Sequence, residues 1–349
     1  MNMVDLQLDF YRRYNDAAAK LYISRCGTLC TLMGLPNIPG TSSITCALSM
    51  GVTVLARKLN SGYIKLENTS SDICKMFSLS NAFNGKNKPE REIKFFMNSA
   101  GFNGAEILYD SDAPKSIDIT HSLHTAVLKA LISLLNANTL SAEELAFLCC
   151  DGKDVPLYYA LISAKKGWCS YMHKSSIEHY PLPMTGLIFL LIRGRSKPHY
   201  PKISLIDKEL DRLKKIHPSI YTYSDVRTDD VKNGKFSYLP FIAEENERIN
   251  HALDALKSSN IQAFADVVTE SSHSFTEYLN PSNEQSFSAR VLPNIEGCMC
   301  ARPFNDMVYA ITEENLADYV SEKIKSKFED RFGYEPDIFI VRNDNHIFS

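Results

Sequence analysis

The chain has 349 residues, enough for two ordinary domains, with 44% hydrophobic and 23% charged residues and a net charge of −3. That balance excludes a disordered chain and gives no electrostatic case for nucleic acid or an anionic membrane. Nine scattered cysteines, an odd number, do not form a disulfide framework and fit buried free thiols in a reducing cytoplasm.

The N-terminal stretch MNMVDLQLDFYRRY lacks the basic-then-apolar layout of a secretion signal, so a cytoplasmic protein is expected. Alternation and β-branched residues predict strands over 52–57 (VTVLAR) and 63–66 (YIKL), joined by a turn at Asn60, Ser61 and Gly62. The polar stretch Asn81 to Glu92 reads as a surface loop. A strand at 105–109 (AEILY) leads into a helix over 121–135, where Leu123, Val127, Leu131 and Leu134 fall three or four apart. Ser141 followed by Glu144 predicts a capping box and a second helix.

Further strands are expected around Trp168 and over 187–192 (LIFLLI), with Arg193 to Tyr200 a loop. The longest apolar run, Gly186 to Ile192, is strand-sized and far short of the roughly 18 residues of a membrane helix. Helices are predicted over 241–257 and 261–271, and a strand over 308–311. Thr312 is expected to cap a helix carrying Leu316, Val320, Ile324 and Phe328 on one face and ending at Gly333, with a last strand at 337–341. The order points to an α+β chain in two halves. Cys26 with Cys30, and Cys298 with Cys300, lack ordinary structural-zinc spacing and read as core or pocket-lining thiols. His121 and His124, three apart at a helix start, read as polar surface residues rather than a metal pair.

From Gly27, the segment GTLCTLMGLPNIPGTSSITCALSMGVTVLAR lies without a gap on the first signature of galactokinases, GRVNLIGEHTDYNGG followed by a GTVVAAR-like strand. Gly27, Gly40, Ala47, Leu48, Ala56 and Arg57 carry the match. Downstream, 109–135 resembles the family's strand, phosphate loop and long helix, and Lys165-Lys166-Gly167-Trp168 its KKGH turn. The region 241–274 is similar to its paired helices with an E-S-H-x-S-like end, and the tail from Val308 to its last strand-helix-strand. The chain is thereby identified as a galactokinase-like member of the GHMP small-molecule kinases with degenerate motifs. The resemblance implies a two-domain α+β fold, an S5-like N-terminal domain over 1–180 and a ferredoxin-like C-terminal domain over 181–349. It also implies ATP and Mg²⁺ as cofactors and a small-molecule ligand such as a sugar; the residues themselves leave the cofactor unknown and the oligomeric state open.

The motif places are altered. Where galactokinases hold E-H-x-D to fix sugar hydroxyls, this chain has Gly34, Leu35 and Asn37, and Thr28 holds the place of the signature arginine. Asn37 is the one polar residue kept for substrate, and Leu35 and Pro36 make the surface apolar: either a packed loop or a pocket for a less polar ligand. The phosphate loop P-x-G-x-G-L-S-S-S-A-A becomes 114–124, with Ile117 and Asp118 among its substitutions and both glycines gone. Lys115, Thr120, His121 and Ser122 remain as donors to a nucleotide, while Asp118 could cap the helix and close the anion site. Leu157 stands at the place of the general-base aspartate, with Asp154 three residues earlier. The motif G-G-G-F-G-G becomes 300–305, where Arg302 brings a guanidinium that favours an anion.

Three readings follow. The first is a catalytically impaired galactokinase-like protein that binds a small ligand, sugar or nucleotide, as a sensor or regulator, with no residue assigned to catalysis. The alternative is an active, divergent sugar kinase transferring the ATP γ-phosphate to a sugar hydroxyl. The third is a structural partner subunit, suggested by exposed apolar residues around Leu35 and Ile38.

Overall fold

Side chains alternate along a strand, so a strand apolar on both sides must be covered on both sides. β2 (Ser43–Lys58) is such a strand. Its Val52, Val54 and Ala56 enter one core and its Leu55 another. The structure is a computed structural model and describes the chain except residues 1–2, 16–19, 71–73, 79–102, 115–116, 136–139, 150–154, 175, 233 and 344–349. The loop expected at 81–92 lies outside the described residues, as do Lys115 and Asp154.

The described residues form two units, one from 1–29 and 47–166, the other from 30–46 and 167–343. In the first, β3 (Tyr63–Asn68) pairs with β4 (Cys74–Ser78) and, in parallel, with β5 (Ala105–Ser111). β5 pairs antiparallel with β2, and β1 (Tyr22–Gly34) also pairs with β2. One face of this sheet is covered by α1 (Met3–Tyr14), whose Leu6 and Phe10 pack on Leu55 and Leu108. The other is covered by α2 (Thr120–Leu135), α3 (Ala142–Cys149) and α4 (Val155–Ile162). The capping box that starts α3 is formed: Glu144 accepts the Ser141 N–H at 2.7 Å, and Ser141 Oγ accepts the Glu144 N–H at 3.2 Å.

In the second unit, Ser43 to Thr45 pair with β6 (Trp168–His173), which forms a hairpin with β7 (Ser176–Pro181). A separate antiparallel sheet runs β11–β8–β10–β9, from β8 (Leu187–Arg193), β9 (Cys298–Phe304), β10 (Met307–Glu313) and β11 (Asp337–Val341). The remaining helices are α5 (Ile203–Ile216), α6 (Thr228–Val231), α7 (Leu239–Lys257), α8 (Ile261–Tyr278), α9 (Asn283–Val291) and α10 (Ala317–Phe332). α9 and α10 bury Ala289, Val320 and Ile324 against Leu190, Ala301 and Ala310 of the sheet. α5, α7 and α8 enclose another core around Leu213, Leu239, Phe241 and Phe275.

Two expectations are corrected. Thr312 does not cap the last helix: it stays in β10 opposite Ile188, and α10 starts only after a 3-10 turn at Glu314–Leu316. Leu35 and Ile38 are not exposed apolar residues; both pack on the core of α5, α7 and α8, which removes the sequence hint for a partner subunit. Gly333 ends α10 in the left-handed region as expected. Among the described residues no helix is long and apolar enough to cross a membrane.

Candidate functional site

The second unit is organised around Gly34, the last residue of β1. Its φ is +81°, and a Cβ there would stand 2.7 Å from Ser43 Cα and nearer still to the Ser42 carbonyl oxygen, so only glycine fits. Its N–H donates to Glu245 Oε1 at 2.8 Å, and its carbonyl accepts from Arg302 Nη2 at 3.2 Å. Arg302 and Glu245 also pair directly at 3.2 Å, with side chains 1% and 3% exposed. Ser271 completes the cluster: its hydroxyl donates to Glu245 Oε1 at 2.7 Å and accepts from Arg302 Nε at 2.8 Å. Arg248 Nη1 holds the other Glu245 oxygen at 2.8 Å, and the Arg302 guanidinium lies 4.8 Å from the centre of the Phe275 ring. A buried ion pair of this kind persists because each lone pair and proton meets a partner.

After Gly34 the chain turns through Leu35 to Thr41. The Leu35 carbonyl accepts the Ile38 N–H at 2.9 Å and the Thr41 hydroxyl at 2.7 Å. This turn, the start of α5, the end of α8 and the β9–β10 turn line a cavity of about 200 Å³. Its wall is apolar: Leu35, Ile38, Ile203, Phe275, Leu279 and Phe304. Asn37, Tyr200, Arg302 and Asn305 also line it. Two of the residues singled out from sequence, Asn37 and Arg302, are therefore brought to one cavity. Asn37 is exposed at its rim. Arg302 stands in its wall with its donors engaged inside the fold.

The other candidates lie together in the first unit, at the start of α2. Asp118 Oδ1 accepts the Thr120 N–H at 2.9 Å. Burial opposes charge on this carboxyl, but the Thr120 hydroxyl and N–H and the neighbouring His121 and His124 outweigh it and hold it below the usual range. Ser122 is buried, and its hydroxyl donates to the Gly27 carbonyl at 2.9 Å. Thr120 is exposed, and His121 is half-buried with its ring centre 4.9 Å from that of Tyr158.

His124 corrects the surface reading. It is buried, stacked on Tyr158 with centroids 6.0 Å apart, and its Nδ1 stands 2.7 Å from the Tyr158 hydroxyl. Leu157, 5% exposed, packs in α4. Burial raises the thiols of Cys26, to about 11, and of Cys298, to about 12, which keeps both protonated at neutral pH. Among the described residues no three His, Cys, Asp or Glu side chains gather as metal ligands.

Sequence reasoning missed Glu245, Ser271 and Phe275. A signal existed for the first: Glu245 falls in line with Ile242, Ile249, Ala252 and Leu256 on the apolar side of a helix, where a carboxylate needs a buried partner.

No family model matches the chain. Among curated proteins it is similar to galactokinases of two clostridia. It is 22% identical to that of Clostridium acetobutylicum over 272 residues, covering 68% of this chain and 69% of the relative. It is 20% identical to that of Clostridium tetani over 375 residues, covering 97% and 95%. Among solved structures, Lactococcus lactis galactokinase complexed with galactose matches with a TM-score of 0.82 at 16% identity, covering 99% of both chains. Methanococcus jannaschii mevalonate kinase matches with a TM-score of 0.65 at 13% identity, covering 93% of this chain and 98% of that one. At such identities the likeness establishes the fold, which is that of the GHMP kinases.

Proposed function

We propose that this galactokinase-like chain, which carries the GHMP kinase fold, holds a small ligand without phosphorylating it. The observation that carries the reading is at the start of α2. There the Ser122 hydroxyl is engaged by the Gly27 carbonyl, and the Asp118 carboxylate occupies the Thr120 N–H. A helix start binds phosphate through free N–H groups and hydroxyls in a field that favours anions. Here a carboxylate already takes that part, and a second anion beside it is repelled. The described residues of this place do not fit a triphosphate with its Mg²⁺.

Two further observations support the same reading. Leu157, at the place the resemblance gives to the general base, is buried and has no group that can accept a proton. Gly34 and Leu35, at two places of the sugar-binding signature, present backbone and an alkyl chain instead of carboxylate and imidazole. Galactokinase chemistry depends on positioning and charge stabilisation, and both are reduced together here. The cavity of about 200 Å³ beside Asn37, smaller than the roughly 300–1,000 Å³ of sites for drug-sized ligands, gives a small ligand its place.

The test is calorimetric titration of the whole chain with Mg-ATP and with galactose, alongside an assay of ADP release. Weak or absent ATP binding at millimolar concentration, with no galactose-dependent ADP, is the expected result. Galactose-dependent ADP release would establish the active-kinase reading in its place.

A further inference from the structure

We infer that the cavity takes a neutral small molecule built on an apolar ring, rather than a hexose or a sugar phosphate. The inference rests on the reading that the chain holds a ligand, and it names that ligand's chemistry.

A hexose is a polyol, and each hydroxyl taken out of water needs a partner. This wall has few to give. The Tyr200 hydroxyl already donates to the Asn305 carbonyl at 2.6 Å and accepts from Gln285 Nε2 at 3.1 Å. The Leu35 carbonyl is taken by Ile38 and Thr41. Arg302 is bound through Nε to Ser271, through Nη2 to Gly34 and Glu245, and through Nη1 to the Pro303 carbonyl at 3.5 Å. The side-chain amides of Asn37 and Asn305, exposed at the rim, and the hydroxyl of the half-buried Thr31 remain for a polar substituent.

Charge narrows the class further. No acidic residue lines the cavity, so no counter-charge there pairs with a cation. The one cationic side chain, Arg302, is cancelled by Glu245 within the wall, so the pull on an anion is small. What is left is shape and apolar surface. Phe275 stands edge-on to both Tyr200 and Phe241, at 5.6 and 5.8 Å between centroids. Its ring is fixed before any ligand arrives, and a rigid aromatic wall suits a flat or alicyclic ring.

The experiment uses the whole chain, with indole and galactose as separate probes at millimolar concentration, read by calorimetry and ligand-observed NMR. Indole is expected to bind at least about tenfold more tightly than galactose. Ile203→Trp, at a half-exposed position on the cavity wall, fills the space and is expected to weaken indole by about tenfold or more. Asn37→Asp, at the exposed rim, is expected to weaken indole less and to leave the melting temperature unchanged; it serves where Ile203→Trp fails to fold. Galactose binding as tightly as indole, no indole binding, or indole binding indifferent to both substitutions would each overturn the inference. Failure of indole without galactose-dependent ADP release overturns this inference alone, whereas that release overturns the reading beneath it.

Discussion

Glu245 of α7 and Arg302 of β9 form an ion pair, 3.2 Å from Oε1 to Nη2, closed over by the Ser271 hydroxyl and the backbone of Gly34. The cluster joins four separate stretches of chain, and its charges meet each other rather than solvent.

Arg302→Met therefore leaves a carboxylate buried with less than its complement of donors. It should destabilise the protein by about 3–5 kcal/mol, read from the urea midpoint. The double variant Glu245→Leu with Arg302→Met should recover much of that loss, because the charge and its counter-charge leave together. A single variant as stable as the parent would show the pair to be dispensable.

Gly34 and Gly62 both adopt left-handed backbone, at φ +81° and +73°. They differ in surroundings: a Cβ on Gly62 meets nothing within 4 Å, whereas on Gly34 it meets the backbone of Ser42 and Ser43. Gly62→Ala should cost about 1–2 kcal/mol, the ordinary penalty of that conformation for an L-residue. Gly34→Ala should cost clearly more in the same unfolding measurement, since backbone has to move.

Asp225 provides a pH test. Burial raises its carboxyl, but the N–H groups of Thr222 and Tyr221, the Thr222 hydroxyl and Lys174 Nζ at 3.0 Å outweigh it and bring it down to about 2. A carboxyl held below its unfolded value of about 3.9 stabilises the fold above that value, and the benefit disappears as pH falls from about 4 to about 2. Asp225→Asn should thus be less stable at neutral pH, by at most about 2 kcal/mol after solvent screening, and the gap should close across that window.

Leu157→Asp puts a carboxylate back at the place the resemblance gives to the general base. Because Leu157 is buried, the charge should cost about 3–5 kcal/mol, and no galactose-dependent ADP release should appear in a coupled assay. A gain of activity would count against the proposed function.

Much of the fold was legible wherever a period was clean. Tyr63 to Leu66 alternates and is β3, and the i, i+3, i+4 spacing from Leu123 to Leu134 is α2. β1 was not read because small and polar residues such as Ser24, Cys26, Thr28 and Cys30 lie inside the protein, which hides the alternation. α5 went unread although Ile206, Leu210 and Leu213 are helically spaced, because its start carries no capping side chain and no acidic first turn. Of the site, the resemblance marked Asn37 and Arg302. It could not mark what they meet, since Gly34 is 211 positions from Glu245 and 268 from Arg302, and no local pattern spans such distances.

Those separations have a consequence for biogenesis. Residues 30–46 leave the ribosome early, yet the groups that fix Gly34 belong to the last third of the chain. At about 5–20 residues per second, 268 residues take roughly 15–50 s to synthesise, and over that interval the end of β1 has no permanent place. The second unit is thus completed after translation has passed Arg302, and a nascent chain stalled before that codon would hold the Glu245 carboxylate without its Arg302 partner.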